Sequence, residues 1–157
     1  MRVGLGYDSH RYDRTRTLVL AGTSIPDAPG LHGFSDGDAV AHAVTDAILG
    51  AAAAGDIGFH FPPGDEEWRN ADSMELLRRA VALIRERGYK VVNGDVVVVT
   101  EEVKIGPISR KMARNLAEVL EVEPDAVSIK GKTNEGMGWV GAGEGLAVQA
   151  VVLLSGP

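Results

Sequence analysis

Short apolar runs broken by glycine, proline and charge predict alternating strands and helices along these 157 residues. Arg2 to Tyr12 is expected as a first strand and Thr17 to Ala21 as a second. Turn chemistry follows from Gly22 to Gly30, then a loop over 31–37. Ala39 to Ala54 is alanine-rich and predicts a helix packed closely into the body of the protein, with Ser35 or Asp36 placed to cap it. Asp38, His42 and Asp46 fall at i, i+4 and i+8, so they share one polar stripe. Residues 55–69 lack a period and are expected as a long loop, often a functional feature in a compact domain. Asp72 opens a strongly periodic helix, with Glu75 placed for a capping box. Met74, Leu77, Val81 and Ile84 form its buried stripe, and Gly88 ends it. Val91 to Thr100 is the next strand, and Pro107 is expected in the first turn of a helix reaching about Leu120. Val127 to Lys132 and Leu146 to Leu154 are the last strands.

This order predicts an α+β architecture, a layered mixed β-sheet with helices on one face. Val96 to Val99 and Leu146 to Leu154 are apolar on both faces, as in strands buried on both sides. Three helices cover one face only, so the simplest cover for the other is another subunit, and an obligate oligomer is expected. The length suits a single domain over 1–157. No run of eighteen apolar residues predicts a membrane span, and residues 1–30 carry charge throughout without a signal-peptide core, so a cytoplasmic protein is expected. With no cysteine, disulfides and thiolate chemistry are excluded. A net charge of -6 argues against a general nucleic-acid binder, while leaving room for a phosphorylated ligand held through metal ions.

The candidate chemistry lies at Asp8-Ser9-His10 and His42. On a strand, Asp8 and His10 project from the same face, and His42 sits on the helix that can meet them. One carboxylate and two imidazoles suit tetrahedral zinc with one position open to solution. The competing reading is coincidence among four histidines and many acids. The glycines from Gly136 to Gly145 lack the context of a P-loop or Rossmann turn and are read as turns and close packing, with direct phosphate contact the alternative.

Gly-Tyr-Asp-Ser-His at 6–10, Ser35-Asp36-Gly37-Asp38 followed by His42 and Asp46, Gly55-Asp56-Ile57-Gly58 with Phe61-Pro62, Lys132-Thr133-Asn134-Glu135-Gly136, and Gly143-Glu144-Gly145 occur in this order. Together they resemble the signatures of the 2-C-methyl-D-erythritol 2,4-cyclodiphosphate synthases of the non-mevalonate isoprenoid pathway, end to end. The resemblance implies a homotrimer that turns 4-diphosphocytidyl-2-C-methyl-D-erythritol 2-phosphate into the cyclic diphosphate and CMP. It implies Asp8, His10 and His42 as zinc ligands and Glu135 as a ligand of a second divalent cation, magnesium or manganese. Asp56 and Thr133 are the implied catalytic residues. Asp8, Ser9, His10, Phe34, Ser35, Asp56, Ile57, Gly58, Phe61 and Asp65 are implied as substrate-binding, with Asp56, Gly58, Ser35 and the 61–65 segment on the methylerythritol phosphate. Thr100, Lys104, Ile105 and Gly106, with Lys132, Thr133, Asn134 and Glu135, are implied on the cytidine and diphosphate, from a neighbouring subunit. Trp139 is placed among the substrate-binding residues, with packing in the subunit contact the alternative. Three positions depart from the family's pattern: Phe34 stands for a usual histidine, Ala142 for an arginine before Gly-Glu-Gly, and Pro63 for a frequent aspartate.

The nucleophile in such a reaction is the substrate's own phosphate, which is already anionic, so no side chain has to remove a proton or form a covalent intermediate. A zinc phosphohydrolase and a non-catalytic trimeric binder of nucleotide or isoprenoid diphosphates are the competing functions. Asp38 or Asp46 is expected to accept a hydrogen bond from the outer nitrogen of His42.

Overall fold

The computed structural model describes residues 1–157. Its centre is a five-stranded sheet in the order β2-β1-β5-β3-β4. The strands are β1 (Arg2–Leu20), β2 (Thr23–Leu31), β3 (Lys90–Val99), β4 (Val127–Lys132) and β5 (Gly145–Ser155). β1 and β3 flank β5 antiparallel, and β3 and β4 run parallel across a helical connection. The long helices are α1 (Ala39–Ala51), α3 (Ser73–Glu86) and α4 (Ser109–Leu120), with single-turn helices α2 (Ile57–His60) and α5 (Gly138–Gly141) in the loops. This is the expected α+β fold, a mixed sheet with its helices on one face.

The first thirty residues differ from the sequence reading. The two expected strands are one bent strand, β1, whose pairing with β2 shifts register between Asp13 and Leu18. The segment read as a turn, Gly22 to Gly30, is mostly β2. Its prolines, Pro26 and Pro29, sit on the sheet edge, where a missing N–H costs no ladder bond. The turn shrinks to Ala21 and Gly22, both at positive φ (48° and 65°), as a tight two-residue hairpin requires.

One buried carboxylate ties that hairpin to α1. Neither Ser35 nor Asp36 caps the helix; Asp38 does, accepting from Ala41 N at 3.0 Å. It also accepts from Ala21 N (2.9 Å) and Gly22 N (2.7 Å). Burial pushes this carboxyl up to about 6, with the three N–H donors opposing and the charge of Asp36 adding. The capping box of α3 is half formed. Asp72 accepts from Met74 N, while Glu75 turns outward to Arg78 and Arg79. Pro107 precedes α4 by two residues instead of lying in its first turn.

On the helical side, Val96, Val98, Leu146, Val148, Ala150, Val152 and Leu154 join one core with α1, α3 and α4. The other side has no helix. Val3 (68 % exposed), Leu5 (69 %) and Tyr7 lie bare there on β1, beside Val151 and Leu153 of β5. An apolar sheet face of this kind is not expected of a free chain in water. No helix is long and apolar enough to cross a membrane.

Candidate metal centre and active site

Two glycines let α1 settle on β1. A Cβ at Gly4 would overlap the Ala47 carbonyl oxygen, and one at Gly6 the Ala43 carbonyl oxygen. Asp8 and His10 continue the same side of β1, and His42 lies on the α1 face pressed against it. Asp8 Oδ2 stands 2.8 Å from His10 Nε2 and 3.0 Å from His42 Nδ1, and the two nitrogens are 3.4 Å apart. A tetrahedral zinc with bonds of about 2.0–2.1 Å has ligand–ligand edges of roughly 3.3 Å, so the three atoms need only open slightly. They are the one group of three metal-type donors drawn together in the chain.

The outer nitrogens settle which atoms face inward. His10 Nδ1 lies 2.6 Å from the carbonyl oxygen of His32, which only accepts, so Nδ1 carries the proton and Nε2 turns to Asp8. His42 Nε2 lies 2.8 Å from Ser73 Oγ and 3.2 Å from Ser35 Oγ. Burial alone would raise the Asp8 carboxyl and lower the His10 imidazole. The hydrogen bonds and charge between them outweigh it, so Asp8 ionises below its usual range and His10 is raised above its own. The donor set thus fits a divalent cation: one carboxylate, two oriented imidazoles, and an open side.

That open side is a cavity of about 220 Å³ walled by His10, Phe34, Ser35, His42, Ile57, Gly58, Phe61, Pro63, Trp68 and Leu76. The expected loop over 55–69 is built as α2, capped by Asp56 through Phe59 N, and a 3₁₀ turn, capped by Asp65 through Glu67 N. Phe61 and Trp68 meet edge to face at 5.2 Å, and Arg79 stacks over Trp68. Phe34 carries the Arg69 guanidinium at 4.9 Å from its ring centre. Arg16 fixes the adjoining loop through the carbonyls of Gly33 (2.9 Å) and Ser35 (2.6 Å). Asp56 and Asp65 serve as caps beside the cavity rather than in its wall, and Ser9 is on the bare face of β1.

The second group of expected residues forms a separate cavity of about 520 Å³. Thr100, Lys104, Ile105, Gly106, Lys132 and Thr133 line it, and no residue lines both cavities. Asn134 and Glu135 follow at its edge, where Thr133 Oγ1 donates to Glu135 at 3.1 Å and Glu101 accepts from Asn134 N at 2.8 Å. Trp139, 42 % exposed on α5, lines neither cavity. The glycines 136, 138 and 143 take positive φ, and a Cβ at Gly141 would overlap Gly136, so turns and close packing account for this run.

The expected partners of His42 are corrected. Asp38 is spent on capping, and Asp46, its carboxyl raised by burial, accepts from Ile57 N at 2.8 Å. Neither hydrogen-bonds the imidazole. Its partners are Ser73 and Ser35, of which Ser73 escaped the sequence reading; the one local hint is a serine just after the Asp72 cap.

The YgbB family model matches residues 1–155. The 2-C-methyl-D-erythritol 2,4-cyclodiphosphate synthase of Symbiobacterium thermophilum is 53% identical over 156 residues, which cover 99% of each chain. A solved synthase of that name in a CDP-bound form superposes with a TM-score of 0.90 at 38% identity, covering 98% of this chain and 100% of its own. The bifunctional IspDF of Campylobacter jejuni superposes at 0.95 with 40% identity over 99% of this chain, which spans 42% of that longer protein. The chain therefore belongs to the YgbB family, together with the 2-C-methyl-D-erythritol 2,4-cyclodiphosphate synthases.

Proposed function

We propose that this chain is a metal-dependent, cyclising lyase of a single domain over residues 1–157. It converts 4-diphosphocytidyl-2-C-methyl-D-erythritol 2-phosphate into 2-C-methyl-D-erythritol 2,4-cyclodiphosphate and CMP in the cytoplasm. The observation that carries this reading is the convergence of Asp8, His10 and His42 at the mouth of the Phe34–Phe61 cavity, in a chain half identical to a synthase.

An oxygen of the substrate's 2-phosphate attacks its own β-phosphorus. A new P–O bond forms, the bond to the cytidylate oxygen breaks, and CMP leaves with that electron pair. The attacking oxygen is anionic at neutral pH, so the protein supplies position and charge rather than a base. Holding both ends of a flexible substrate is worth about 7–11 kcal/mol in such intramolecular reactions.

Asp8, His10 and His42 would hold zinc, and Glu135 a magnesium or manganese ion. Divalent cations there supply charge neutralisation to the phosphates of the substrate and explain how a chain of net charge -6 takes an anionic ligand. Ile57, Gly58 and Phe61, with Phe34 and Ser35, seat the methylerythritol phosphate, and the cap at Asp56 presents the α2 backbone to it. Lys104 and Lys132 face the diphosphate from the larger cavity, Thr133 steadies the transferring phosphorus, and Thr100 to Gly106 bound the cytidine. The larger cavity comes from a neighbouring subunit of a homotrimer, assembled through the bare apolar face. This accounts for the two cavities sharing no residue within one chain.

Phosphorus NMR of the substrate with zinc- and magnesium-loaded protein tests the proposal. Two coupled resonances of a cyclic diphosphate with stoichiometric CMP are expected. An open-chain phosphate would mean a phosphohydrolase, and unchanged substrate with zinc bound a non-catalytic binder.

A further inference from the structure

His10 and His42 reach the centre alike but are braced differently. The outer nitrogen of His10 meets a backbone carbonyl, which can only accept. The outer nitrogen of His42 meets the hydroxyl of Ser73, which can donate or accept. Whether this partner favours a proton on Nε2 therefore depends on where the Ser73 hydroxyl sends its own.

Asp36 decides this. Its Oδ2 accepts from Ser73 N at 3.1 Å, and its Oδ1 accepts a short hydrogen bond from Ser73 Oγ. The carboxylate also accepts from Asp38 N, 3.1 Å from Oδ1, and the backbone that carries it is held by Asp36 N donating to the Ala71 carbonyl. Ser73 is fully buried at the first residue of α3, so no water competes for its hydroxyl. With that proton committed to Asp36, the free lone pairs of Oγ face His42 as an acceptor for an Nε2–H. A cation held by Nδ1 beside Asp8 leaves His42 with such an Nε2–H, which this hydroxyl then accepts.

We propose that Asp36, acting through Ser73, is a positioning residue that holds Ser73 Oγ as the acceptor of His42 Nε2–H and so favours Nδ1 as the nitrogen offered to a divalent cation. The inference rests on the reading of Asp8, His10 and His42 as a metal centre. It adds two residues, 36 and 73, that touch neither cation nor substrate. Outer partners of a ligating histidine typically change metal affinity by about 10–100-fold when removed.

Asp36→Ala is the informative change, because it removes the acceptor and frees the Ser73 hydroxyl to donate to His42 Nε2, which favours the ring proton on Nδ1, the nitrogen the cation needs. Asp36→Asn is the control: its amide oxygen keeps the Oδ1 place, where Ser73 Oγ and Asp38 N both donate, and its N–H₂ turns to Ser73 N, so Ser73 remains an acceptor. ¹H–¹⁵N correlation spectra of the zinc-loaded protein read the His42 Nε2–H and its hydrogen bond, and competition with a chromophoric chelator reads zinc affinity. Asp36→Ala is expected to weaken that hydrogen bond and to lower zinc affinity about 10–100-fold, with Asp36→Asn close to wild type. Ser73→Ala is expected to weaken zinc by about tenfold, with Ser35 as the remaining acceptor. Adding Asp36→Ala to Ser73→Ala should then cost no further affinity, which a general structural role of Asp36 would not give. A folded Asp36→Ala protein with unchanged Nε2–H signal and affinity would overturn the proposal; if that variant does not fold, unchanged affinity in Ser73→Ala overturns it. Wild type that binds no zinc at all would instead remove the metal centre on which it stands.

Discussion

Gly6 of β1 lies so close to Ala43 of α1 that an added Cβ would overlap the Ala43 carbonyl oxygen. Two residues further along β1 is Asp8, and one residue before Ala43 is His42, so this backbone contact sets the distance on which the centre depends. Gly6→Ala must push α1 off the sheet. A stability loss of about 1–3 kcal/mol is expected from overpacking, with zinc affinity weakened at least about tenfold. Gly94→Ala is the control, since its Cβ would meet nothing nearer than 3.8 Å. Thermal unfolding and zinc titration of both variants check this; equal zinc affinities would contradict the role given to the contact.

Zinc itself should stabilise the fold, because the three proposed ligands come from β1 and α1 and are assembled only in the native state. At free zinc about 100 times its dissociation constant, linkage adds about 2.7 kcal/mol. For a chain of this length that raises Tm by about 5–10 °C. His42→Ala should lose that increment while keeping its fold, since His42 is only partly buried at the edge of the core. Scanning calorimetry with and without zinc measures both; a zinc-induced rise that survives His42→Ala would place the ion elsewhere.

Asp38 makes stability depend on pH in a direction opposite to that of a salt-bridged acid. Its carboxyl is pushed up to about 6 from 3.8, first by burial. Between those values the native state binds a proton that the unfolded chain has released, so stability falls as pH rises through the window and levels off above about 6. The gap, at 1.36 kcal/mol for each pKa unit, is worth about 3 kcal/mol. Asp38→Asn should be less stable at neutral pH, because its amide N–H₂ must face one of three N–H donors, but it should lack this fall. Urea unfolding of both proteins at pH 4.5 and 6.5, with chelator present, isolates the difference, and parallel pH slopes would refute the assignment.

Much of the centre was legible in the sequence because it follows two short periods. Asp8 and His10 share a face by the strand's period of two, and His42 is the imidazole on an alanine helix that can approach closely. The residues behind His42 were not legible for the same reason. The stripe at 38, 42 and 46 is real, but a helical period does not say which carboxylate turns to the imidazole and which to a backbone N–H. Asp38 went to the hairpin and Asp46 to α2, while Ser73 arrived from 31 residues beyond His42. The edge strand β2 was hidden because Pro26, Pro29 and Gly30 read locally as a turn, and only its edge position makes them compatible with pairing. The bare face was anticipated from apolar runs in β3 and β5, yet its most exposed members, Val3 and Leu5, come from β1 between glycines that serve the opposite side.

Leu5 tests what covers that face. It pairs with Val151 across β1 and β5, both on the side without helices, at 69 % and 43 % exposure. Leu5→Asp therefore removes little packing within one chain, and a stability change of at most about 0.5 kcal/mol is expected for such a surface position. Within an assembly the same change buries an unpaired carboxylate against a neighbour's apolar strands, a cost of several kcal/mol at each contact. Sedimentation velocity should show a three-chain particle for the wild type and single chains for Leu5→Asp. Turnover should disappear with assembly, because the cavity at Thr100–Thr133 and the cavity at Phe34–Phe61 share no residue in one chain. Zinc binding should persist, because Asp8, His10 and His42 belong to one chain and face away from Leu5. A dissociated variant that still turns over substrate would mean that one chain closes both cavities by itself.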